Sequence, residues 1–156
     1  MRDSLQQRVQ QLGLELPIPG QPIANYVNHT QSQNLLFISG QTPQAEQHPH
    51  LLGRLGDNLS IEQGAQAAEL AALALLAQLS AALGDDLSRL QRISRLGVFI
   101  AASADFKGHG QVANGASNLL VNALGEKGRH ARTSVGVASL PAGVAVEVDG
   151  IFELKP

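Results

Sequence analysis

The 156-residue chain has no cysteine and no tryptophan, one tyrosine and four phenylalanines, and only 15% of its residues are charged. Each shortage closes off a class of chemistry. Without cysteine there is no disulfide, thiolate nucleophile or thiolate metal ligand, and a reducing compartment fits that composition. With so few rings, platforms for stacking single-stranded bases are nearly missing. Lysines and arginines are scattered and the formal net charge is −2, whereas a nucleic-acid surface normally shows a basic stripe. The longest apolar segment, Ala65 to Leu83, is broken by Gln66, Glu69, Gln78 and Ser80, so it makes a poor membrane span. The start, Met1-Arg2-Asp3-Ser4-Leu5-Gln6-Gln7, lacks the apolar core of a signal peptide. The expectation is one cytoplasmic domain with a core of Leu, Val, Ile and Ala, no membrane partner and no nucleic-acid partner.

What is present falls into segments. Leu5, Val9 and Leu12 give residues 3–12 helical spacing, and Leu14-Glu15-Leu16-Pro17-Ile18-Pro19-Gly20 then breaks the pattern. Residues 1–22 therefore read as a helix and extended connector attached to a main domain of residues 23–156. Two strand-like stretches, 23–29 and 35–39, flank the polar turn 30–34 and predict a hairpin. Residues 41–58 read as a loop, long enough to be mobile or functional. Ser60 followed by Gln63 is a capping-box signal for a helix running to Leu83, with Ile61, Ala65, Ala68, Ala72, Leu75, Leu76, Leu79 and Leu83 as its buried stripe and Gly84-Asp85 as its stop. A strand over 90–103 rises out of Arg89, Arg92 and Arg95, a basic run read as a solvated face. A loop at 105–110 and a helix over 111–124 follow.

The C-terminal stretch 129–153 reads as two strands, Val135 and Val137 in the first, Val144, Val146 and Val148 in the second, around a Leu140-Pro141-Ala142-Gly143 turn. Closing it as a hairpin would pair Gly136 with Glu147 and Ser134 with Asp149. Arg132, Ser134 and Gly136 would then share a face with Glu147 and Asp149. That face has two readings: a solvated surface with weak cross-strand pairs, or an anion site in which Arg132 takes a carboxylate and Glu147 holds a water. Other chemistry finds little support. His48-Pro49-His50 has no third ligand nearby, the 16 glycines form no phosphate loop, and no Gly-x-Ser-x-Gly elbow occurs. The segments together predict an α+β plan, one sheet carrying two main helices on a single face.

The run Ala131-Arg132-Thr133-Ser134-Val135-Gly136-Val137-Ala138-Ser139-Leu140-Pro141, followed by Val146-Glu147-Val148, resembles the C-terminal signature of the RidA/YjgF family. Asn25-Tyr26-Val27, Ser39-Gly40-Gln41-Thr42-Pro43 and Val112-Ala113-Asn114 resemble further pieces of it, with Asn114 matching an asparagine that opens the second helix. The likeness spans residues 23 to 154 and points to a longer branch with an added N-terminal segment. It implies a chorismate-mutase-like fold assembled as a homotrimer, with ligand clefts between subunits. It also implies an enamine/imine deaminase that needs no cofactor or metal and takes a small carboxylate ligand, with a non-catalytic metabolite-binding trimer and an endoribonuclease or translation inhibitor as the alternatives. In that reading Arg132 and Glu147 are catalytic, and Tyr26, Ser39, Gly40, Asn114 and Ser134 contact the ligand. Arg129-His130, Ser134 and Gly136 depart from the common deaminase pattern and enlarge and polarise the pocket.

Overall fold

The computed structural model describes residues 2–156. A mixed five-stranded sheet runs in the order β1-β2-β5-β3-β4. Its strands are β1 (His29–Ser32), β2 (Leu35–Gln41), β3 (Leu90–Ala101), β4 (Ala131–Val137) and β5 (Val146–Leu154), and its helices are α1 (Leu5–Gln11), α2 (Ile61–Leu83) and α3 (His109–Leu124). All neighbours are antiparallel except β3 and β4, which run parallel through the α3 crossover.

The longest helix forms as its ends dictate. Ser60 Oγ accepts from the Gln63 amide and Gln63 Oε1 accepts from the Ser60 amide, a reciprocal cap, while Gly84 at φ 62° takes the left-handed stop. Burial along α2 spreads beyond the expected stripe to Ala67, Ala71, Leu73 and Ala77, and Ile61 at its start is exposed. The helix is long and apolar enough to cross a membrane, but that apolarity goes into the sheet and α3. Small residues let the backbones meet: a Cβ on Gly115 of α3 would run into the Ala65 carbonyl of α2. The short α1 belongs to the same core, with Leu5 and Val9 fully buried. Asp85 anchors it, accepting from Ser4 Oγ, the Gln6 amide and Ser80 Oγ.

The first hairpin is displaced from its expected place. Residues 23–29 are not a strand except for His29 at the end; the strands meet across Gln33-Asn34, with Gln33 at φ 52° supplying the tight turn. Ile23 is 91% exposed, so its apolar pattern is not explained by burial in this chain. The 41–58 segment is fastened: Leu51, Leu55 and Leu59 are buried, Asn58 accepts from the Arg54 amide and donates to the Leu52 carbonyl, and Leu55 exchanges backbone bonds with Ala101 and Ser103.

The C-terminal hairpin does not exist. β4 and β5 lie on opposite sides of β3, joined by residues 138–145, which step over the end of β3. The reason lies in β3, whose Leu96-Gly97-Val98 run is buried and takes the centre of the sheet. Register reverses the expected juxtaposition. Arg132, Ser134 and Gly136 pair with Leu96, Val98 and Ile100, on the helix-bearing face. Glu147 and Asp149 pair with Phe99 and Gly97, on the other face, together with Thr133 and Val135. Among the described residues no helix covers that second face, and Leu35, Phe37 and Val135 are exposed on it.

Candidate functional site

The seven residues singled out in the sequence fall into two groups, one around Arg132 on the helix-bearing face of the sheet and one at the end of β2, with Glu147 on the other face. The first surrounds Arg132 on the edge strand β4. Its Nη1 donates to Asn114 Oδ1 at 2.9 Å and to Ser117 Oγ at 3.1 Å. Gly110 belongs to the same helix stripe, since a Cβ there would lie 3.7 Å from Arg132 Nη2. Positions 110, 114 and 117 are one helical face, so α3 forms a shelf for the guanidinium. Asn114 thus lies in the second turn of α3, not at its opening, because the helix begins at His109. Among the described residues no carboxylate lies within 4 Å of Arg132. An exposed arginine held in place without an acidic partner is ready to take an external anion.

Three residues that the sequence analysis did not name as site contacts join this group: Ser117, His130 and His109. Ser117 Oγ is 2.9 Å from His130 Nε2, and His130 Nδ1 is 2.6 Å from the Gly128 carbonyl. The imidazole of His109 lies over Gly136, where a Cβ would sit 2.7 Å from His109 Nε2, and packs edge-on against Phe106. The helical spacing of Asn114 and Ser117 was a usable signal; the approach of His130 was not, because it depends on the turn at 125–128. Arg129 points elsewhere, toward Glu126 at 4.0 Å. Ser134 shares the face of Arg132 and is partly buried.

The second group is at the end of β2. A Cβ on Gly40 would collide with the Glu147 carboxyl, so the glycine lets that carboxyl lie against the backbone. Burial, then the Asp149 charge, raises the Glu147 pKa above the ordinary 4.5. Ser39 donates through Oγ to the Val27 carbonyl at 2.7 Å and through its amide to Asn28 at 2.9 Å, tying the 26–28 segment to the strand end. Tyr26, half exposed, and Gly40 then line one open hollow of about 560 Å³ with Gln21, Gln41 and Gln44.

The arginine run at the start of β3 is largely answered by β5. Arg92 Nε lies 3.5 Å from Glu153, and Arg95 Nη1 lies 4.0 Å from Asp149. These are exposed cross-strand pairs of small energetic weight, but they break up the basic patch. Among the described residues no three His, Asp or Glu side chains converge as a metal site would require.

Comparison with known proteins agrees with this architecture. The family described as YjgF/chorismate mutase-like, putative endoribonuclease, matches residues 6–148. Protein TCP17 of Trypanosoma cruzi is 45% identical over 148 residues, covering 94% of this chain and 92% of its own. Among solved structures, Atu1372 of Agrobacterium tumefaciens, a protein with unknown function, is 43% identical with a TM-score of 0.88, covering 97% of this chain and 92% of its own. A putative endoribonuclease from Shewanella oneidensis is 32% identical with a TM-score of 0.90, covering 97% of this chain and 99% of its own.

Proposed function

Because the chain belongs to the YjgF/chorismate mutase-like family, we propose that it hydrolyses reactive enamine and imine products of amino-acid metabolism to 2-oxo acids and ammonia, in clefts between the subunits of a cytoplasmic homotrimer. The observation that carries this reading is Arg132, braced on α3 with no carboxylate within 4 Å among the described residues. A guanidinium held this way binds a substrate carboxylate in a fixed orientation and so fixes the imine carbon beside it.

Glu147 supplies the complementary half. A carboxyl whose pKa is raised by burial is a better proton acceptor than a solvated one. It takes a proton from water as the oxygen adds to the imine carbon and passes that proton to the nitrogen, giving the carbinolamine. It then carries the hydroxyl proton to the amine, so that the C–N bond breaks as the C=O bond forms and ammonia leaves. The sequence of steps consumes one water and uses no other reagent. Gly40 borders the carboxyl, Tyr26 lines the hollow that opens beside Gly40, and Ser39 ties the Tyr26 segment to the strand end, while Asn114 and Ser134 border the arginine.

Arg132 and Glu147 lie on opposite faces of one sheet, so a single chain does not bring them together. A neighbouring copy does if its Glu147 face packs beside the β4 edge. The uncovered sheet face, with Leu35, Phe37 and Val135 exposed, supports that assembly. A metabolite-binding trimer without turnover is the second reading, favoured because the arginine half is complete as a carboxylate anchor by itself. The endoribonuclease name carried by the family finds less support in a chain of net charge −2 whose Arg92 and Arg95 face acidic partners.

The test is the rate at which purified protein speeds loss of an imine generated in situ by an amino-acid oxidase, with Arg132→Ala as the comparison. Acceleration that disappears in the variant is the expected result. Saturable binding of 2-oxo acids without acceleration would move the assignment to the binding protein, and a monomer by light scattering would remove the inter-subunit cleft.

A further inference from the structure

Arg132 is the fourth member of a chain of hydrogen bonds that begins at a backbone carbonyl. The Gly128 carbonyl can only accept, so His130 Nδ1, 2.6 Å away, carries the hydrogen and donates it. In the neutral ring Nε2 is then an acceptor, and Ser117 Oγ, 2.9 Å from it, donates its hydroxyl hydrogen there. That leaves the lone pairs of Ser117 Oγ free to accept from Arg132 Nη1 at 3.1 Å. Each link sets the direction of the next, and the terminal carbonyl is part of the turn 125–128, which is itself packed on α3.

We propose that His130 is a positioning residue for Arg132: acting through Ser117, it fixes which way the serine hydroxyl points and so holds the guanidinium on the α3 shelf. Only the consequence for ligand affinity rests on the carboxylate-binding function proposed above. Asn114 holds the same Nη1 by a separate bond, so loss of the relay loosens the arginine without releasing it. The departure from the common family pattern at Arg129-His130 therefore acts at the site through His130 alone, since Arg129 is turned toward Glu126.

Two measurements on the intact protein test this. Nitrogen-15 NMR of the imidazoles at neutral pH should find His130 in the Nδ1–H tautomer. The Arg132 Nη–H signals should be resolved in wild type and in His130→Gln, whose amide oxygen can replace Nε2 as acceptor, and should broaden in Ser117→Ala and His130→Phe. Titration with 2-oxobutanoate should then show about fivefold weaker binding in Ser117→Ala and in His130→Phe, the worth of one hydrogen bond. The double variant should be no weaker than either single one, and the methyl ester should bind all forms equally. An Nε2–H tautomer, or Arg132 signals indifferent to His130→Phe, would overturn the inference. If wild type binds no 2-oxo acid, the proposed function fails while the NMR result still decides the relay.

Discussion

The two halves of the site are built by different means. Around Arg132 the side chains hold one another: Asn114, Ser117 and His130 form bonds of 2.6 to 3.1 Å that leave the guanidinium fixed and its charge unanswered. Around Glu147 nothing holds the carboxyl by a hydrogen bond among the described residues. It rests in space left by Gly40, its charge disfavoured first by burial and then by Asp149. In the function proposed above, one half binds an anion and keeps it still, and the other leaves a carboxyl ready to change protonation. On that proposal, binding and proton transfer ask for opposite environments, and the sheet offers each on its own face.

The sharpest way to break this comparison is to remove each charge. Arg132→Ala should weaken 2-oxo acid binding by about a hundredfold, the loss of two charge-assisted bonds, whereas Glu147→Gln should abolish imine hydrolysis and leave that affinity within about twofold. Calorimetry alongside the coupled assay separates the two; equal loss of binding in both would refute the division of labour. A smaller effect is expected from Gly40→Ala, where the added methyl pushes only the mobile end of Glu147. The fold should persist, with kcat reduced about tenfold, the scale of an impaired proton transfer. An unchanged kcat would mean that the resting place of the carboxyl is unimportant.

Protonation gives a subtler test. Because the folded Glu147 pKa lies above its ordinary 4.5, its contribution to stability is fully present below that value and lost as pH rises through the folded pKa. Glu147→Gln should therefore match wild type in acid and exceed it in Tm at neutral pH, and a constant difference across pH would contradict the burial effect. The smallest expected change lies outside both halves, at the α1 anchor. Burial raises the Asp85 pKa, but bonds from Ser4, Gln6, Ser80 and Leu5 outweigh it and leave it below 3.8. That stabilisation is present above the ordinary value and lost as pH falls through the lowered one. Asp85→Asn should cost about 1 kcal/mol, seen as a modest drop in Tm that vanishes in strong acid.

Much of this was legible in the residues. The capping box at Ser60 and Gln63, the alanine-rich α2 and the strand out of Leu90 all follow from local chemistry, and the choice of Arg132 and Asn114 as candidates follows from family likeness. The face shared by Arg132 and Glu147 was not, and the error has a specific source. The Leu140-Pro141-Ala142-Gly143 segment does turn, with Ala142 at φ 55° and Gly143 at φ 73°, but a turn says only that the chain reverses. It does not say whether a third strand lies between the two it joins.

By itself the sequence determined the composition of the core, the capped ends of α2, the turn at 140–143 and the residue types capable of holding an anion, because these depend on neighbours within a few positions. Only the tertiary structure decided that β3 separates β4 from β5, that Glu147 faces away from Arg132, and that His130 reaches Ser117. Strand order is chosen by which apolar surfaces bury best across the whole sheet, and that competition between distant segments leaves no mark in any one of them.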